Sequence, residues 1–326
     1  MMNGCRMLMV AGLAMAVPGG VAQAAQTNFP DKPLRYIVPF PPGGSTDIVA
    51  RIVAAGLTDK LREQVVIDNR GGAGGTLGAA VAARAEADGY TIFACNIASL
   101  AVSPALYRNP GYNADTAFSP IGLIGSNPNT LVVHPSLPTK SVAEFIALAK
   151  AQPGKLNYAS AGVGTSPQLT MELFKGRAGI DVVHVAYKGA GPAVVDLMGG
   201  HVRSMFSTVP SVLGAVRAGS LRALAVSSKK RARDLPDVPT LVESGMPNFE
   251  VISWQGLCTP SGVPKAVLSR LQTALRDVMA LPETNKQLEA QGIEATPLIA
   301  AQYGSFIRGE RAKWAKVVKD LKIPLR

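Results

Sequence analysis

A strand, a turn of small residues and then a helix recur along this chain, and that unit limits the fold more than any other feature. Residues 34–40 read as a buried strand, Pro41-Pro42-Gly43-Gly44-Ser45-Thr46 as a turn, and 47–57 as a helix with Ile48, Ile52 and Ala55 on one face. Residues 65–68 form a second strand. Asn69-Arg70-Gly71-Gly72-Ala73-Gly74-Gly75 leads into an alanine-rich helix over 76–85, and Asp88-Gly89 turns the chain into a strand over 90–95. This βαβαβ order predicts a mostly parallel sheet with helices on both faces, since parallel neighbours need a crossover.

The unit then begins again. Residues 121–124 and 130–133 are strand-like, and Ser141 caps a helix over 142–150 with Glu144 placed to complete a capping box. A strand over 157–160 ends in Ala161-Gly162-Val163-Gly164-Thr165-Ser166-Pro167, followed by a helix over 168–177. Another strand spans 182–187. Lys188-Gly189-Ala190-Gly191-Pro192 then turns into a helix over 193–198, with Pro192 suited to its first position. Strands over 221–226 and 251–257 follow, and the end is helical over 263–279, 282–291 and 300–321. A chain of 326 residues exceeds what one core usually spans, so two similar α/β lobes with a cleft between them are expected.

The start of the chain reads as an export signal. Arg6 precedes an apolar run over 7–17, and Ala22-Gln23-Ala24 supplies small residues at signal-peptidase spacing, which places the signal over 1–24 and the cut after Ala24. The run is too short to span a hydrocarbon core of about 30 Å, so the mature protein is expected to be exported and not embedded in the membrane. Cys5 would leave with the signal. Cys95 and Cys258 remain, and in an oxidising compartment they either pair or sit as two buried small hydrophobes. The net charge of +11 is spread out, apart from Lys229-Lys230-Arg231 with Arg233, and few aromatics lie among the basic residues. That pattern argues against nucleic acid and for a mild field that attracts anionic solutes.

Three strand-to-helix turns are rich in glycine and hydroxyls: Gly43-Gly44-Ser45-Thr46, Gly162-Val163-Gly164-Thr165 and Gly189-Ala190-Gly191. Ligands of open parallel sheets bind at the carboxyl ends of strands, where such turns lie. Helix starts offer unpaired N–H donors and a partial positive charge, which favour an anion. Phosphate motifs fail: there is no Walker sequence, and Leu77 stands where a dinucleotide fingerprint needs glycine. Catalysis is also poorly supported, and no enzyme activity is expected. Tyr158 occupies a glycine position of the nucleophile elbow around Ser160, and a Ser160, Asp196, His201 triad has no supporting spacing. His134, His184, His201, Cys95 and Cys258 lack zinc-site spacing, so neither a metal nor another cofactor is expected.

Several runs are similar to the Bug receptors, the periplasmic substrate-binding proteins of tripartite tricarboxylate transporters. They are Val38-Pro39-Phe40-Pro41-Pro42-Gly43-Gly44-Ser45-Thr46-Asp47, Asp68-Asn69-Arg70-Gly71-Gly72-Ala73-Gly74-Gly75 and Ala87-Asp88-Gly89-Tyr90-Thr91. Tyr158-Ala159-Ser160-Ala161-Gly162-Val163-Gly164-Thr165, Tyr187-Lys188-Gly189 and Leu235-Pro236-Asp237-Val238-Pro239-Thr240 continue the resemblance in order. It implies a two-lobed, type II-like Venus-flytrap fold of the periplasmic binding proteins. Lobe 1 would span 25–124 plus 253–326, and lobe 2 would span 125–252. It also implies a monomer that captures a small carboxylate and hands it to a two-component membrane permease. Carried onto this chain, the ligand-binding candidates are Gly43, Gly44, Ser45, Asp47, Ser160, Ala161, Gly162, Gly164, Thr165 and Tyr187.

Three positions depart from the family pattern. Gln168 stands where many relatives have histidine, and Arg203 and Ser207 stand where they commonly have aspartates. If residues 203 and 207 face the cleft, a dicarboxylate is favoured over a monoacid; aromatic carboxylates also fit the expectation. The alternatives are a ligand-sensing subunit of a two-component system and, more remotely, a secreted serine hydrolase.

Overall fold

The computed structural model describes Met1, residues 28–320, Ile323 and Leu325. The expected export segment beyond Met1, with Cys5 and the cut after Ala24, lies outside the described residues, as does Leu321 at the end of the last expected helix. The first elements are β1 (Leu34–Val38), α1 (Ser45–Leu61), β2 (Val65–Asn69), α2 (Thr76–Ala83), β3 (Thr91–Asn96) and the short α3 (Ser103–Leu106). Next come β4 (Phe118–Val133), α4 (Val142–Ala151), β5 (Asn157–Ser160), α5 (Ser166–Ala178), β6 (Val183–Ala186) and α6 (Ala190–Met198). Then follow β7 (Ser204–Thr208), α7 (Val209–Arg217), β8 (Arg222–Val226) and β9 (Ile252–Pro260). The chain ends with α8 (Lys265–Met279), α9 (Pro282–Ala290), β10 (Glu294–Ile299) and α10 (Ala301–Asp320).

The strands run in the order β2-β1-β3-β9-β4-β7-β5-β6, with β8 and β10 also paired to β4. β1 lies parallel to β2 and β3, and β5 lies parallel to β6 and β7, so each half carries the expected parallel core. β1 reads Leu-Arg-Tyr-Ile-Val and is almost wholly buried, as a strand covered by helices on both faces must be. α1 lays Val49, Val53 and Leu57 against Leu271, Leu275 and Val278 of α8 in one core. In the other half Phe174 of α5 meets Phe145 of α4 and Phe206 of β7 at ring separations of 6.1 and 5.6 Å. Each half thus has its own parallel strands and covering helices, the two-lobed α/β arrangement expected.

The strand boundaries differ from expectation in one informative place. The two short strands expected over 121–124 and 130–133 are a single element, β4. It pairs with β9 as far as Pro128, then with β7 and β8 from Asn129 onward, and so passes from one half to the other. Proline removes a ladder donor, and its cost is least where one pairing ends and the next begins. α7 and β10 carry weaker local signals and were not expected; Pro297 and a register shift between Ala295 and Leu298 break the alternation of β10. Ser141 caps α4 by accepting the Glu144 N–H at 3.2 Å, while the Glu144 carboxylate takes the N–H of Lys140, one residue before the cap.

Cys95 and Cys258 form a disulfide with a Cα separation of 5.9 Å. β3 and β9 are antiparallel neighbours with Phe93 opposite Cys258, which brings Cys95 onto the adjacent diagonal. No helix among the described residues is long and apolar enough to cross a membrane.

Candidate ligand-binding site

β1, β5 and β6 all deliver their carboxyl ends to one place, and the turns that follow start α1, α5 and α6 there. Between the halves they enclose a cavity of about 50 Å³. Phe40, Gly44, Ser45 and Thr46 line it from one side, and Ala161, Thr165, Ser166 and Ala190 from the other. β9 contributes Ser253, Trp254 and Gln255. Gly44, Ser45, Ala161 and Thr165 are therefore brought together as expected.

Two helix starts in this cavity lack side-chain caps. Gly44 precedes α1 and has no side chain to cap with; Thr165 precedes α5, but its hydroxyl donates backwards to the Gly162 carbonyl at 2.6 Å. The N–H groups of Thr46 and Ser166 find no acceptor among the described residues. Each of these helix ends carries roughly half a positive charge. Among the described residues no Asp, Glu, Lys or Arg side chain lines the cavity, so an anion there would be met by the dipoles of these helix ends.

Two serines occupy equivalent positions at these helix starts. Ser45 Oγ receives the side-chain N–H of Gln255, and Ser166 Oγ receives that of Asn129 at 2.7 Å. An oxygen that is already accepting keeps its own proton to donate, and both serines line the cavity. Ser166 lines the cavity but is not among the expected site residues, although Pro167 directly after it marks a helix start and so places that hydroxyl at the first helical position. Asn129 and Gln255 had no local signal, because they sit on strands remote in sequence from both turns.

Other expected residues build the turns and do not line the cavity. Asp47 is only 3 % exposed and accepts from the Gly43 N–H at 3.1 Å, Arg51 at 3.0 Å and Asn69 at 3.0 Å. Burial alone would raise its carboxyl pKa, but these hydrogen bonds and the Arg51 charge outweigh it and hold the pKa below the usual value. Gln168 accepts from the Gly164 N–H at 3.3 Å and braces the second turn. The Tyr187 phenol donates to Asp196 at 2.6 Å; burial first, and then that carboxylate, push it to about 12.

Ser160 is fully buried, accepts from the Gly162 N–H at 3.1 Å and shares a 2.6 Å hydrogen bond with His184 Nε2. The Ser160, Asp196, His201 triad is thus not assembled: Asp196 is engaged by Tyr187, and the serine's partner is His184. Arg203 also departs from expectation. It lies exposed just before β7, donates to Ser136 Oγ at 3.0 Å, and stands about 16 Å of extended strand from Thr208 at the cavity end. A strand presents its two termini at opposite ends of the sheet, so Arg203 stands away from the cavity and brings no charge to it. Ser207 is buried, with its hydroxyl unpartnered among the described residues, and it does not line the cavity.

The two halves meet through glycine. A methyl group added at Gly191 would stand 2.7 Å from the Pro42 carbonyl oxygen, and one at Gly189 would stand 2.6 Å from the Pro41 ring. Gly74 has φ +63° and approaches the Val163 carbonyl so closely that no side chain fits. Across the same seam the Ser45 N–H donates to Ser211 Oγ at 3.0 Å, and the Tyr107 hydroxyl donates to the Val163 carbonyl at 3.1 Å. The two halves are thus in direct contact around the cavity.

Comparison with known proteins agrees with this architecture. The family described as "Tripartite tricarboxylate transporter family receptor" matches residues 49–323. BugT of Bordetella pertussis is 38 % identical over 98 % of this chain and 98 % of its own length. An R. palustris protein solved with adipate superposes with a TM-score of 0.89 at 34 % identity, over 91 % of this chain and 100 % of that one. MatC from Rhodopseudomonas palustris, solved with bound malate, gives 0.83 at 30 % identity, over 89 % and 100 %. With the match extending over most of the sequence and the entire fold, this chain belongs to the Bug-type receptors of the tripartite tricarboxylate transporter family.

Proposed function

We propose that the chain is an exported periplasmic receptor that captures a small carboxylate in this cavity and presents it, as a monomer, to a membrane permease. The observation that carries the reading is the pair of serine hydroxyls, Ser45 and Ser166, each backed by a buried amide at an uncapped helix start. Each hydrogen bond to a charged group contributes roughly 1.5–3 kcal/mol, and micromolar capture needs about 8 kcal/mol. Two hydroxyls and two free N–H groups are of that order. The relatives solved with adipate and malate support a carboxylate as the ligand. No catalytic step is part of the proposal, because neither Ser160, which is buried, nor the half-buried His184 lines the cavity.

Lobe 1 is proposed to comprise 25–124 plus 253–326, and lobe 2 to comprise 125–252. β4 changes partners after Pro128 and β9 starts at Ile252, within a few residues of both boundaries. The segment 1–24 is proposed to be removed after Ala24 on export.

A thermal-shift screen of aliphatic, hydroxylated and aromatic carboxylates tests the reading. A bound ligand at 100 times its Kd adds about 2.7 kcal/mol, which for a chain of this size raises the melting temperature by about 4 °C. A screen in which no carboxylate shifts the transition would reject capture. Ser45→Ala and Ser166→Ala should each weaken the best ligand about tenfold in calorimetric titration. Unchanged affinity in both variants would remove these hydroxyls from the site.

A further inference from the structure

One polar atom at the cavity is left unexplained by carboxylate capture alone. Gln255 is 3 % exposed and lines the cavity. Its side-chain nitrogen donates to Ser45 Oγ and, at 3.2 Å, to Asn127 Oδ1. Its carbonyl oxygen, Oε1, is buried and meets no donor among the described residues.

The neighbours determine which way this amide faces. The Pro128 carbonyl only accepts, so the Asn127 nitrogen must turn toward it, at 3.1 Å. Asn127 Oδ1 then faces Gln255, and the Gln255 nitrogen is the atom that can satisfy it. Turning the glutamine over would set two oxygens against each other. Gln255 Oε1 is therefore an acceptor in want of a donor.

A carboxylate cannot supply one, since it too only accepts. An ammonium could, but Oε1 would satisfy only one of its three donors, and among the described residues no acidic side chain lines the cavity to take the others. A hydroxyl donates without adding charge. We propose that the ligand is a hydroxycarboxylate whose hydroxyl donates to Gln255 Oε1 while its carboxylate takes the Ser45 and Ser166 hydroxyls. This rests on the carboxylate reading and narrows it. One amide then serves both ligand groups: its nitrogen holds Ser45 in place, and its oxygen selects for the hydroxyl. A ligand lacking the hydroxyl leaves a buried acceptor unpaired, which is the strongest form of discrimination a small polar group gives.

Calorimetric titration with matched pairs tests this: malate against succinate, 2-hydroxyglutarate against glutarate, and lactate against propionate, with both enantiomers of each hydroxy acid. The hydroxylated member of the tightest-binding pair should bind at least tenfold more tightly to the wild type. In Gln255→Met, which keeps the volume and removes the acceptor, the preference should shrink to about twofold or less. Ser45→Ala supplies a second variant, in which overall affinity falls while the hydroxyl preference persists. Equal binding of the paired acids to the wild type would overturn the proposal and leave the carboxylate reading standing, with water satisfying Oε1. A preference that survives in Gln255→Met would overturn it as well. If no carboxylate binds at all, both readings fail together.

Discussion

Replacing Cys95 and Cys258 together by alanine is expected to cost about 4–5 kcal/mol of stability and to lower the melting temperature by about 6–8 °C. The cysteines are 163 residues apart, and the loop they close contains every element from α3 to β8. Closing so long a loop removes more freedom from the unfolded chain than a short one does. Alanine suits the test because both sulfurs are fully buried, where serine would add the separate cost of two enclosed hydroxyls. The bond joins β3 to β9, the strand that brings the chain back from the second lobe, so its loss should act on the first lobe. Urea unfolding of the wild type and the double variant measures the effect. Coincident midpoints would show that sheet pairing alone holds the returning strand. Full burial also predicts that mild reductant leaves the folded wild type unaffected and acts only once it unfolds.

Gly191→Ala is expected to weaken ligand binding 10- to 100-fold while leaving the empty protein as stable as before or slightly more so. The new methyl would stand 2.7 Å from the Pro42 carbonyl of the other lobe, against backbone that cannot swing aside. Overpacking of this kind costs about 1–3 kcal/mol, and the cost falls only while the halves are in contact. With the halves apart the methyl would meet no such clash, and in the first turn of α6 alanine is a better helix former than glycine by up to about 1 kcal/mol. Binding and stability should therefore move in opposite directions. Gly176→Ala on α5 is the control, since a methyl there meets nothing within 4 Å. Calorimetric titration with small-angle scattering reads both affinity and ligand-induced compaction. Wild-type affinity in Gly191→Ala would mean that ligand is held without this seam closing.

Much of the site follows from local chemistry. Glycine turns after buried strands locate α1, α5 and α6, and hydroxyl residues at their ends mark where an anion would meet a helix start. Ser166 was equally accessible, because proline at the next position marks a helix start. The role of Asp47 was harder to foresee. A carboxylate in a first helical turn can face a ligand or its own turn, and here the Gly43 N–H and the Asn69 amide draw it to the turn.

The sequence by itself determined the repeated α/β unit and the turns that border the cavity, since these depend on periodicity and turn chemistry within a few residues, and its motif runs carried the family resemblance. Only the tertiary structure decided that Cys95 and Cys258 pair, that Arg203 lies at the edge away from the cavity, and that Asn129 and Gln255 stand behind the two serines. Each of these depends on which strands become neighbours and in what register, across separations of tens to hundreds of residues. Register is set by the packing of the whole sheet, and a one-residue slip would turn every one of these side chains to the other face.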